Sequence, residues 1–175
     1  MKKLIFGLTL CVSVVALAKD PCSENNAKAG TVCDGGSIFV GVIKNQRYMT
    51  TPLTGPISQW GSLETHTGVV DPDTGLKNTE KLASLSPPAD YCFNLESGGY
   101  SDWFLPAENE LMMLLGHASE IGGFSSDWYW SSTECPVDPN LYPVTVRGSS
   151  ATLGRITNLL KSWDGATRCV RTAKP

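Results

Sequence analysis

The stretch Gly98-Gly99-Tyr100-Ser101-Asp102-Trp103-Phe104-Leu105-Pro106-Ala107-Glu108-Asn109-Glu110-Leu111 constrains the fold of this chain more than any other. Two adjacent glycines allow a tight reversal that other residues resist. Trp103 and Leu105 then alternate as on a short strand, so both can face one core. Pro106 presets the dihedral for the start of a helix. A turn, an extended segment and a helix start thus follow one another within fourteen residues. Asp102 is the odd residue. Beside Gly and Ser it is expected to pin the turn through backbone hydrogen bonds, with a ligand contact as the alternative.

The rest of the chain divides around that segment. Residues 37–43 form a β-rich run, 44–46 a turn, and 47–51 a returning strand. Residues 52–79, with several Gly and Pro, read as irregular. Asn78-Thr79-Glu80 can cap a short helical turn. Ser86-Pro87-Pro88 opens a helix that carries Tyr91, Cys92 and Leu95 and stops at Gly98-Gly99. The helix after Pro106 runs to about His117, with Leu111, Met112, Leu114 and Leu115 on a broad apolar face. Residues 128–133 read as a strand, Trp128 and Trp130 on one face and Tyr129 on the other. Residues 142–147, 151–157 and 167–171 are further short strands. No internal repeat or linker divides the chain.

Lys2 and Lys3, the apolar run 4–17 and the small-x-small site at Ala16–Ala18 predict a signal peptide over residues 1–18. Cys11 follows Leu10 and lies inside the apolar run, so it does not read as a lipidated cysteine. One domain, 19–175, remains, beginning with a polar loop over 19–36; no second apolar run suggests a transmembrane segment. The expected location is exported: periplasmic, secreted or cell-surface associated. Five cysteines follow the signal peptide, an odd number in a disulfide-permissive setting. Their spacing matches no zinc site. Charge is segregated: residues 82–140 hold nine acids and no Lys or Arg, whereas 141–175 hold six bases and one acid. Mutual neutralisation inside one fold is the simpler reading; a basic face for an anionic ligand is the sharper one.

Six pieces in order, GGSIFV (35–40), TGLKNTEKL (74–82), ADYCFNL (89–95), the 98–111 segment, YWSSTE (129–134) and RCVR (168–171), resemble the DUF1566 family, also named for the C-terminal domain of the Legionella collagen-like adhesin. The resemblance covers most of residues 19–175. It implies an exported α+β domain of C-type-lectin-like fold, with short mixed and antiparallel sheets, two main helices and long irregular loops. In that pattern Asp102, Trp103, Pro106 and Trp130 are structural signatures. Two positions depart from it: Ala107 stands where Ser or Thr commonly caps the second helix, and Phe104 where Arg is common. No collagen-like repeat precedes the domain. The resemblance also implies a long-range Cys92–Cys169 disulfide, worth about 4 kcal/mol by restricting the unfolded chain. It leaves Cys22 and Cys33 to close a local loop and Cys135 unpaired. The residues by themselves leave other pairings open, since Cys135 could reach either partner.

Catalytic motifs are scarce. His66 and His117 lack a nucleophile partner, and Ser131-Ser132 does not sit in a Gly-x-Ser-x-Gly elbow. The cysteines read as structural, which argues against formylglycine-type chemistry. The chain is therefore expected not to be an enzyme and to need no cofactor. Asp71 and Asp73 put two carboxylates in one turn, a candidate calcium site, but calcium requires six to eight oxygens and a solvated turn is the simpler reading. Arg147, Arg155, Lys161 and Arg168 could contact sulfate or carboxylate groups, and Tyr129 and Trp163, with Trp60, could stack on a sugar. Core packing is the default for the tryptophans. Nucleic acid is excluded by the acidic balance and the lack of a basic aromatic motif. The leading expectation is an adhesin-like domain that binds a glycan or anionic surface polymer. The alternative is a structural or assembly subunit of a surface appendage acting through envelope or appendage proteins.

Overall fold

The computed structural model describes residues 19–62, 66–124, 128–135, 143–147, 156–158 and 160–173; for 143–147 and 156–158 the description is of the backbone. The expected signal peptide and Arg155 lie outside the described residues, as does most of the strand expected at 151–157. The fold is α+β. Strands β1 (Ile38–Ile43), β2 (Gln46–Thr50) and β8 (Val170–Ala173) form one sheet in the order β1-β2-β8. A second sheet, ordered β3-β7-β4-β5-β6, joins β3 (Ile57–Gln59), β4 (Trp128–Glu134), β5 (Pro143–Arg147), β6 (Ile156–Asn158) and β7 (Asp164–Ala166). The helices are α1 (Gly75–Leu82), α2 (Pro87–Phe93), α3 (Glu108–Gly116) and the single turn α4 (Ala118–Ile121).

The β1–β2 hairpin forms where expected. Its two-residue turn puts Lys44 and Asn45 at φ of 48° and 65°, the left-handed geometry that matches strand twist. β2 pairs antiparallel with β8, Thr50 opposite Val170 and Arg47 opposite Ala173, so one sheet joins strands from both ends of the domain. Phe104 adds a further bridge to this sheet, exchanging backbone hydrogen bonds with Val170 at 2.8 and 2.9 Å.

That bridge makes the 103–105 segment a divider between two cores. Trp103 and Leu105 face a cluster with Trp60, Leu82, Ala89, Cys92 and Trp130. Phe104 faces the other, with Tyr48, Leu111, Leu114, Leu115, Tyr129 and Val170. β4 follows the same parity, with Trp130 and Trp128 on the first cluster and Tyr129 on the second. Trp103 Nε1 donates to the carbonyls of Ser97 and Tyr100, so the indole closes the Gly98-Gly99 turn as well as filling the core.

The helices correct several expectations. α1 begins at Gly75, and Asn78 and Thr79 lie inside it, buried, because they serve neighbouring backbone. Asn78 donates to the Asp71 carbonyl, and the Thr79 hydroxyl accepts from the Leu105 N–H at 3.0 Å. α2 ends at Phe93, short of Gly98-Gly99, and Ser86 precedes it without a side-chain cap bond. Ala107 cannot cap α3, so two other side chains divide the task. Glu110 accepts from the Ala107 N–H at 2.8 Å, and the Thr133 hydroxyl of β4 accepts from the Glu108 N–H at 3.0 Å. The short strands β3 and β7 fall where no strand was expected.

Disulfides join Cys22 to Cys33 and Cys92 to Cys169; Cys135 is a buried free thiol. Cys92 lies in α2 and Cys169 immediately before β8. Among the described residues the acidic and basic segments meet in two ion pairs, Glu134 with Lys161 and Asp102 with Arg171. Among the described residues, no helix is long and apolar enough to cross a membrane.

Candidate functional site

A cavity of about 250 Å³ lies between the β1-β2-β8 sheet and the Cys22–Cys33 loop. Strand alternation builds its floor: Arg47 and Met49 project from β2, and Arg171 and Ala173 from β8, while Tyr48 and Val170 face the core on the other side. Cys22, Cys33 and Asp20 form the loop side, and Ser37 and Tyr100 complete the wall. Gly35 (φ 76°) and Gly98 (φ 63°) bring the disulfide loop against the Gly98-Gly99 turn, each so close that a Cβ would strike the other's carbonyl. The opening turn therefore forms one side of a cavity.

The charges in this cavity are unevenly matched. Arg171 forms a two-point ion pair with Asp102 and stacks 3.6 Å from the Tyr100 ring centroid. Arg47 is 6% exposed. It donates to the carbonyls of Cys22 and Glu24 at 3.0 Å and to Asn25 Oδ1 at 3.1 Å, all neutral acceptors. Among the described residues its buried Nε has no hydrogen-bond partner, and neither has the buried Ser37 hydroxyl. Asp20 is the carboxylate on the wall, and one oxygen already accepts the N–H groups of Cys22 and Asp34. Two guanidinium groups and a serine thus line one cavity, one of the cations without a carboxylate partner among the described residues. Sequence reasoning missed Arg47, Ser37 and Arg171 as site residues; the available signal was Arg47 sharing strand parity with Met49.

Among the described side chains, the expected ligand residues do not line this cavity. Arg168 is buried, bonded to the carbonyls of Gly122 and Gly123 and to Thr50 Oγ1, and lies over the Phe124 ring. Burial pulls its pKa down to about 10. Tyr129 is buried with its hydroxyl against Thr54. Trp60 is a core residue, its indole N–H on the Ser131 carbonyl. These side chains do not face an external ligand, because the fold uses them to satisfy buried backbone and pack its cores. Trp163 is 53% exposed and remains open to stacking. The Arg147 backbone lies in β5, but its side chain, like all of Arg155, lies outside the described residues.

Lys161 is fully buried against the fully buried Glu134 carboxylate and sits 4.9 Å from the Trp60 ring centroid. Glu134 Oε2 accepts from the N–H groups of Thr67 (3.0 Å) and Gly68 (2.8 Å) and from the Thr67 hydroxyl (2.9 Å). The half-exposed His66 places Nδ1 3.1 Å from the same oxygen. Burial pushes the Glu134 pKa up, but the bonds from Lys161, Thr67 and Gly68 hold it below the usual carboxylate range.

Asp71 and Asp73 form a hydrogen-bonded turn, the Asp73 N–H on Asp71 Oδ1 at 2.8 Å. That bond lowers the Asp71 pKa; Asn109, then Lys44, lowers that of Asp73 and occupies its oxygens. No third acidic ligand joins them among the described residues. The described group close enough to hold an ion is Asp20 with Cys22 and Cys33, whose sulfurs are bonded to each other. No protein-family model matches this chain, and no curated protein sequence matches it.

Proposed function

We propose that this chain is an exported, non-enzymatic recognition domain with a C-type-lectin-like arrangement, related to the DUF1566 domains, and that it binds an anionic group of a glycan or surface polymer in the Arg47 cavity. The observation that carries this reading is the buried Arg47 guanidinium on the cavity wall, bonded among the described residues to neutral acceptors alone. A buried cation without a counter-ion is costly, and a sulfate or carboxylate in the adjoining cavity supplies the opposite charge. The volume, about 250 Å³, is small beside sites for whole drug-sized ligands, so it suits one charged substituent with the polymer lying outside. The lectin-like arrangement is supported by the pairing of strands from both ends of the domain and by the helix-to-last-strand disulfide.

A glycan array in physiological salt, followed by calorimetry on wild type and Arg47→Gln, tests the proposal. Sulfated or carboxylated glycans are expected to bind, with an affinity loss of about tenfold or more in the variant, the size of a charge-assisted bond. A blank array, or binding that Arg47→Gln leaves unchanged, would overturn it. A blank array together with a stable envelope-protein partner in a pull-down would replace it with the assembly-subunit reading.

A further inference from the structure

Glu134 and Lys161 are 27 positions apart, yet their charged ends meet where neither side chain has any exposed surface. The two carboxylate oxygens have different surroundings. Oε1 faces the Lys161 amine, with the Thr67 N–H at a longer 3.3 Å. Oε2 is held by two peptide N–H groups and a hydroxyl, those of Thr67 and Gly68. Fixed donors around one oxygen of a carboxyl group are the arrangement that stabilises the oxyanion of a tetrahedral acyl-transfer intermediate, and the Lys161 amine lies against the other oxygen. Both partners are held by backbone. The Glu134 N–H donates to the Val69 carbonyl at 2.7 Å, and the Lys161 carbonyl accepts from the Trp60 N–H at 2.9 Å.

We propose that Lys161 and Glu134 condense, without another catalyst, into an intramolecular amide between Nζ and Cδ. A proton first passes from the Lys161 ammonium to Glu134 Oε1 along their hydrogen bond, leaving a neutral amine and a neutral carboxyl group. The Nζ lone pair attacks Cδ, and the displaced electron pair moves onto Oε2, where the Thr67 and Gly68 donors receive it. Collapse restores the Cδ–Oε2 double bond and expels Oε1, which takes a second proton from Nζ and leaves as water. One C–N bond forms, one C–O bond breaks, one water is released, and no redox partner is required. His66 Nδ1, 3.1 Å from Oε2 on a half-exposed ring, connects the site to solvent for proton exchange.

Two physical effects drive the condensation. Groups fixed in contact react with effective molarities of about 10⁵–10⁸ M, which offsets the unfavourable balance of amide formation between free ions in water. The product also replaces two buried charges with one neutral amide, removing their desolvation cost. The amide would tie the end of β4 to the segment entering β7. This proposal is independent of the cavity and of the recognition reading.

Mass spectrometry of the purified protein, fully reduced and denatured, decides it. Wild type is expected to be lighter than its sequence by the mass of one water, and a digest is expected to contain a branched peptide joining Glu134 to Lys161. Lys161→Arg is expected to show the full sequence mass. A full-mass wild type with both peptides linear would overturn the proposal and leave an ordinary buried ion pair. A water loss that persists in Lys161→Arg would overturn it too. The wild-type digest needs no variant to fold, so the proposal stays testable if Lys161→Arg does not accumulate.

Discussion

Arg171 Nε lies 2.7 Å from Asp102 Oδ1, and Nη2 lies 3.1 Å from Oδ2, with the guanidinium stacked on the Tyr100 ring. Asp102 therefore does not pin its own turn, as its Gly-Ser surroundings suggested, but holds an arginine 69 positions away. Asp102 is about half exposed, so solvent screening keeps the pair weak, and Asp102→Asn is expected to cost about 1 kcal/mol. The loss should shrink in 1 M salt, where the screening length is about 3 Å. Denaturant unfolding at low and high salt measures it; an equal loss at both would assign the effect to something other than charge. Under the proposed function the same variant frees Arg171 toward the cavity. Its affinity for an acidic glycan should then rise a few-fold, opposite in sign to the effect of Arg47→Gln.

Trp103 is 2% exposed and joins a core cluster while its indole N–H closes the 97–100 turn. Trp103→Ala is expected to destabilise the domain by about 3–5 kcal/mol, the range for a large buried aromatic. Chemical denaturation followed by circular dichroism checks this. A variant with unchanged stability but lost glycan binding would move Trp103 from the core to the ligand site.

Much of the central architecture was legible because it rests on local parity. Trp103 and Leu105 against Phe104, and Trp128 and Trp130 against Tyr129, divide between the two cores as alternation requires. What escaped depends on distant partners. β3 and β7 are three residues each and pair across more than 100 positions, so neither carries a periodic pattern of its own. α1 buries Gly75, Asn78 and Thr79 on its inner face, and such residues look like a cap or a loop until Asp71 and Leu105 are seen beside them. The basic segment supplies partners for the acidic one, while two of its ligand candidates are buried. Lys161 and Arg168 turn inward to Glu134 and to the Gly122 and Gly123 carbonyls. The cavity instead draws on Ser37, Arg47 and Arg171, brought together by sheet register and by a Gly-to-Gly contact between two loops.

Glu110 is the remaining buried acid with a clear pH signature. It is 3% exposed and accepts from the Ala107 N–H and the Tyr48 hydroxyl. Burial raises its pKa above the ordinary 4.5, although bonds from Ala107, Tyr48 and Gly75 work in the opposite direction. With the folded value raised, the unfolded chain releases its proton first as pH increases. The stabilising contribution of the protonated form is thus complete below 4.5 and is lost as pH rises through the folded pKa. Glu110→Gln keeps an acceptor for the Ala107 N–H and cannot ionise. Its stability, measured by denaturant unfolding from below pH 4.5 to neutrality, is expected to gain on wild type across that interval. A stability difference that stays flat with pH, or that moves toward wild type as pH rises, would show that Glu110 is not held protonated by burial in the folded domain.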